Sequence, residues 1–197
     1  LLSGGREPGL DRERGERRAR AATLFVLGLP GSAYLYQGEE LGLHEVAEIE
    51  DGQRQDPTFF RSPGFDLGRD GCRVPLPWEA SVPSFGFGSG EAHLPQPEWM
   101  GEYAVDRQID DPESTLTLYH RALAVRTDLQ TEESLDWIET GRADVLRFAR
   151  PNGWQVVTNF GDEPYVLDAG GLSVVLASDP NAAPGVVPSA STVWLAP

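Results

Sequence analysis

The sequence predicts an α/β segment followed by a small all-β domain, with the boundary near residue 130. Two observations point there. Before residue 130 the chain offers a helix, a short apolar run, a long irregular stretch and a second helix. After it come "SLDWIET", "DVLRFAR", "GWQVVTNF", "PYVLDAG", "LSVVLAS" and "STVWLAP", short segments rich in Val and aromatics and separated by Gly, Pro, Asn and Asp. Such spacing marks an antiparallel sandwich. A chain of 197 residues with 40% hydrophobic content can bury a core.

Residues 11–27, "DRERGERRARAATLFVL", read as a helix running from solvent into a core. Asp11 is its N-cap, and its arginines form a solvated face. "LGLPG" ends it through Gly28, Pro30 and Gly31. "SAYLYQG", Ser32 to Gly38, has the length and near-continuous apolar character of a parallel strand buried on both faces. Residues 38–111 carry many Gly and Pro. Their aromatics (Phe59, Phe60, Phe65, Trp78, Phe85, Phe87, Trp99, Tyr103) argue for order, with short helices expected near 42–50 and 95–104. Ordered loops of this length are usually functional. "DPESTLTLYHRALAVRTDL" is the second long helix, with Asp111 as N-cap and Pro112 at its first position. Leu116, Leu118, Tyr119, Leu123, Val125 and Leu129 supply its apolar face. A lone parallel strand needs neighbours in its sheet. The first part therefore reads as the end of a larger α/β domain, or as a packing the pattern does not specify.

Composition narrows the function. The net charge of −15 argues against a nucleic-acid partner, which would need a basic face. All 16 basic residues are arginine, and six of them fall in Arg6–Arg20. The single cysteine, Cys72, excludes an internal disulfide and a cysteine-rich metal site, and reads as a small buried apolar residue. A catalytic thiol would want a histidine partner, but His44, His93 and His120 belong to no recognisable motif. No His pair has ligand spacing and no Asp-x-Asp-x-Asp-Gly run occurs, so neither metal nor cofactor is expected. No run of about 18 apolar residues is present, and the start lacks the order of a secretory signal. The expectation is a cytoplasmic protein without a membrane partner.

Two motifs carry a resemblance. "GLPGSAYLYQGEELGL" (Gly28–Leu43) and "GRDGCRVPLPW" (Gly68–Trp78), in this order and before a helix and a sandwich, resemble the α-glucosidase branch of the α-amylase superfamily, glycoside hydrolase family thirteen. The resemblance runs from about residue 15 to the C-terminus. It implies the C-terminal part of a (β/α)8 TIM barrel followed by a small antiparallel β-sandwich. Residues 1–130 would hold the last barrel strand, a substrate-site loop over 38–111 and the last helices, and residues 131–197 the sandwich. In such barrels the site lies at the C-terminal ends of the strands, where the long loop would sit.

The family chemistry is retaining hydrolysis by two carboxylates roughly 5 Å apart, with a supporting aspartate in an Asn-His-Asp motif. These residues precede the matched part in the family, and the sequence holds no Asn-His-Asp. A full barrel takes about 250 residues. The resemblance therefore implies a chain inactive by itself, whose parent releases terminal α-linked glucose from short α-glucoside oligosaccharides. A sucrose isomerase or trehalose synthase relative and a non-catalytic sugar-binding module are the alternatives.

The resemblance also assigns candidate residues. Arg69 would reach the innermost sugar pocket, where a planar guanidinium suits vicinal hydroxyls and a carboxylate; locking the loop through backbone carbonyls is the other reading. Gln37, at the strand end, would touch sugar or brace the site. Glu39 and Glu40 support the strand exit, because neighbours in an extended chain face opposite ways and cannot flank one bond. Asp70 and Arg73 are read as pinning the loop, locally or through Glu39 or Glu40. Trp78 is read as a loop anchor, with sugar stacking as the alternative. His93 and Trp99 are further candidates for outer sugar subsites.

Overall fold

The computed structural model describes residues 11–62 and 65–197. Residues 1–10, which the sequence reading places in the first domain, lie outside the described residues. The rest divides into two compact units, Tyr36–Leu116 and a second built from Asp11–Leu35 with Thr117–Pro197. Packing thus groups both long helices with the C-terminal strands, whereas the sequence division at residue 130 follows chain order.

The second unit is a helix-on-sheet structure. Helix α1 (Arg12–Gly28) starts as predicted: the Asp11 carboxylate accepts the Arg14 amide at 2.9 Å. The strands are β1 (Asp136–Trp137), β2 (Val145–Ala149), β3 (Gln155–Asn159), β4 (Tyr165–Val166), β5 (Ser173–Ala177), β6 (Val186–Val187) and β7 (Ser191–Ala196). Five form an antiparallel sheet in the order β1-β2-β3-β7-β5, and β4 pairs with β6 in a separate two-stranded ladder. Alternation sorts the side chains to two faces. Phe148, Val156 and Trp194 join Leu24 and Leu27 of α1, while Val145, Val157, Val193 and Leu195 pack with Leu167 and Val187 beside the small ladder. Strand β7, between β3 and β5, is therefore buried along its whole length.

Most buried polar groups on the helix face are paired, as burial demands, the Trp154 indole N–H being an exception. Thr158 and Thr192 share a hydroxyl bond of 2.8 Å, Thr192 donates on to Ala21 O, and Trp194 Nε1 donates to Leu24 O at 3.0 Å. The C-terminal carbonyls of a helix lack intrahelical donors, and here two arginines supply them. Arg150 donates to the carbonyls of Gly28, Glu132 and Ser134, and Arg126 to those of Leu27 and Gly31. Cations at that end also complement the helix dipole.

The second long helix, α4 (Thr115–Leu129), begins later than the Asp111 cap predicts. Asp111 instead closes a turn on the Glu113 amide, while Gln108 Oε1 takes the Leu116 amide and Ser114 Oγ donates to Gln108 O. Leu123 leaves the expected apolar face and is 40% exposed. The predicted strand at Ser32–Gly38 has no regular structure over 32–36, turns at 37–38, and pairs with no strand among the described residues. Tyr34 there is 90% exposed. No described helix is long and apolar enough to cross a membrane.

Two glycines of α1 predict opposite effects. A Cβ at Gly28 would lie 2.5 Å from Val156 Cγ2, whereas one at Gly15 would meet nothing within 4 Å. Gly28→Ala should destabilise the chain by about 1–3 kcal/mol through overpacking. Gly15→Ala should stabilise it by about 0.5–1 kcal/mol through helix propensity. Urea midpoints of the two variants check the pair.

Candidate functional site

The first unit folds with little repetitive structure. Its core is Val46, Ile49, Val74, Leu94 and Met100, flanked by Leu43, Phe85 and Trp99. Helices are short: α2 (Pro57–Arg61), α3 (Val105–Gln108) and brief 3-10 turns. The turn Glu98–Tyr103 falls where a short helix is predicted. No helix forms over 42–50, where the Val46 amide bonds Gly71 O at 3.1 Å and draws the chain out instead. Gly71 is required by that approach, because a Cβ would stand 2.5 Å from Val46 O.

Two buried aspartates lace this loop together. Asp56 is 4% exposed and Asp70 2%. Asp56 Oδ1 accepts the Thr58 amide at 2.8 Å and so caps α2. Its Oδ2 accepts the Arg69 amide at 2.8 Å and Arg73 Nη1 at 2.9 Å. Asp70 answers from the other side, its Oδ2 accepting the amides of Gln55 at 2.8 Å and Asp56 at 3.0 Å. Gly68, at φ +71°, lies so close that a Cβ would stand 2.6 Å from Asp56 Cβ. Hydrogen bonds from Thr58 and then Arg69, helped by the Arg73 charge and opposed by burial, lower the Asp56 pKa from 3.8 to about 2. Asp70 and Arg73 thus pin the loop, but Arg73 pairs with Asp56 rather than with Glu39 or Glu40.

Arg69 is held differently. Its amide is taken by Asp56, its carbonyl accepts the Cys72 amide at 3.3 Å and Cys72 Sγ at 3.2 Å, and its side chain is exposed. The guanidinium lies 5.9 Å from the centre of the Tyr36 ring, and among the described residues no carboxylate pairs with it. Tyr36 also walls a cleft of about 80 Å³ with Gln37, Glu39, His44, Glu45 and Cys72. Small-molecule sites usually measure about 300–1,000 Å³, so this cleft is too small to hold a sugar by itself.

Gln37 and Glu39 are exposed, and Glu40 turns back to accept the Gly38 amide at 2.8 Å. Cys72 is partly exposed rather than buried because it lines the cleft wall, where its Sγ donates to Arg69 O. Trp78 anchors by its backbone, donating to Phe85 O at 2.8 Å and accepting from Asp106 N at 3.0 Å, while the side chain is 48% exposed.

A larger hollow of about 340 Å³ is lined by Ser84, Phe85, Glu91, Leu94 and Gln96 among others, and holds none of the predicted site residues. Its Gln96 amide is already spent on Pro75 O and Ser84 O. Trp99 stacks on His44 at 3.9 Å, and the His93 carbonyl accepts Gln55 Nε2. No cluster of metal-ligating residues occurs among the described residues. The sequence reading missed Asp56 and Tyr36. "QDP" signals an N-cap before Pro57, but nothing local announces that the same carboxylate reaches Arg69.

The lowered Asp56 pKa fixes the sign of a pH effect. Its interactions stabilise the fold fully above about pH 4, the unfolded value, and are lost as pH falls through about 2. The gap in Tm between wild type and Asp56→Asn should be widest above pH 4 and shrink toward pH 2. A gap constant across that range would contradict the assignment.

Residues 7–133 match the family described as "Alpha amylase, catalytic domain". A probable α-glucosidase of Rhizobium meliloti (strain 1021) is 37% identical over 154 residues, covering 75% of this chain and 27% of the relative. An oligo-1,6-glucosidase of Parageobacillus thermoglucosidasius is 26% identical over 171 residues, covering 76% and 30%. The solved α-glucosyl transfer enzyme XgtA superposes with a TM-score of 0.75 at 31% identity, over 91% of this chain and 35% of that one. A trehalulose synthase, MutB, gives 0.76 at 23% identity over 91% and 38%, a likeness of fold alone. The chain therefore spans under a third of the length of these two sequence relatives. With its match over 7–133, the chain belongs to the α-amylase family.

Proposed function

We propose that this chain carries the sugar-facing loop, the last barrel elements and the trailing β-domain of an exo-acting α-glucosidase. The complete enzyme releases terminal α-linked glucose from short oligosaccharides by a retaining mechanism, in the cytoplasm. The observation that carries this reading is Arg69, an exposed guanidinium on a backbone tied at both its amide and its carbonyl. A group so placed offers paired N–H donors to vicinal hydroxyls at little ordering cost. Gln37 belongs to the same half-site through Tyr36. In this reading Ser32–Gly38 is the last barrel strand, and its exposed Tyr34 and Leu35 await the neighbouring barrel.

The reaction carboxylates belong to the remainder of the barrel, and the chain alone is catalytically inert. A glucosyl-transfer outcome is the second reading, favoured by the 31% identity to the α-glucosyl transfer enzyme. Product analysis with maltose or sucrose as donor separates the two, since hydrolysis yields free glucose and transfer yields a new disaccharide or longer glucoside.

The 197-residue chain should turn over p-nitrophenyl α-glucoside no faster than buffer, and a rate well above background would sink the half-site reading. In the complete enzyme, Arg69→Ala should raise KM by about tenfold to a hundredfold, the loss expected for a charge-assisted hydrogen bond.

A further inference from the structure

We infer that Asp56 is the positioning residue of Arg69. The inference rests on the reading that Arg69 contacts sugar, and adds to it the group that sets the geometry. A binding group must be held within about 0.5 Å of its productive place. Arg69 sits at the end of a glycine turn and carries its guanidinium on a long side chain, so backbone rotation there sweeps the charged head across the site. Asp56 opposes that rotation directly: its Oδ2 holds the Arg69 amide at 2.8 Å. The same oxygen is fixed by Arg73 at 2.9 Å, and the other carboxylate oxygen by the Thr58 amide at 2.8 Å.

The carboxyl group has little freedom to follow a displaced partner. It is buried, and the side-chain-less Gly68 packs flat against it, with Cγ 2.7 Å from where a Cβ would be. Arg69 itself has φ −118° and ψ 16°. Asp70 plays a different part. Its Oδ2 takes both the Gln55 and Asp56 amides and not the Arg69 amide, so it braces the turn without setting Arg69.

NMR of the full chain tests this without any sugar. In the wild type, a through-hydrogen-bond coupling should join the Arg69 amide nitrogen to the Asp56 carboxyl carbon; its absence overturns the inference. Asp56→Asn keeps an oxygen for Thr58 but turns the second acceptor into a donor. It should speed Arg69 amide exchange by about tenfold or more, the factor for one lost hydrogen bond. It should also sharpen the Arg69 Nε–Hε signal, while the Val46 amide keeps its protection. Asp70→Ala should free the Gln55 amide and leave Arg69 near its wild-type exchange. Arg69 loosened equally by both variants, or by neither, marks the pair as a structural brace and overturns positioning. The sugar-contact reading fails separately, if Arg69→Ala leaves KM of the complete enzyme unchanged while coupling and exchange behave as stated.

Discussion

A loop that buries its backbone must still satisfy every amide and carbonyl. Residues 38–111 meet that constraint almost without strands or long helices, and they do so with side chains. Asp56 takes the Arg69 amide, Asp70 takes the Gln55 and Asp56 amides, Asp106 takes the Ala80 amide, and Gln96 reaches Pro75 and Ser84. Gln108 serves Leu41, Tyr103 and Leu116 at once. Each such bond contributes only about 1 kcal/mol net, but leaving its buried partner unmade costs about 1–3 kcal/mol. The loop is thus ordered by a few irreplaceable polar residues rather than by a large core, and an exposed guanidinium can rest on it with its backbone fixed.

The second unit reaches order by the opposite route. Its sheet is covered on both faces, one by aromatic and aliphatic packing against α1 and one by the β4–β6 ladder. Large buried aromatics such as Trp154 and Trp194, set edge to face at 4.9 Å, supply much of that packing. Polar bonds there finish the helix ends and the buried threonines; they do not define the path of the chain. Change in this unit alters stability first, whereas change in the loop alters placement of a few groups first.

The sequence was legible where structure is periodic. Asp11 and the apolar run after it announce α1, and alternating Val and aromatics announce β2, β3, β5 and β7 in nearly their observed positions. The strand β6, Val186–Val187, escaped because two residues between Pro and Gly carry no period. The strand at 32–38 was legible as an apolar run but not as a ladder, because a ladder depends on a partner segment that the run itself does not encode. In the loop, Arg69 stood out through its motif, yet its restraint did not. Asp56 lies 13 residues away with no repeating pattern between them, and Arg73 chose it over Glu39 and Glu40 through the folded path alone.

In the proposed function, Arg69 carries a guanidinium on a fixed backbone toward the terminal glucose of an α-glucoside. A crystal structure of the complete enzyme with bound isomaltose would report that contact. Arg69 nitrogens should lie about 2.7–3.2 Å from the hydroxyls of the non-reducing glucose, with the Asp56 bond to the Arg69 amide intact. A glucose bound with Arg69 turned away, or with its guanidinium paired to protein alone, would contradict it.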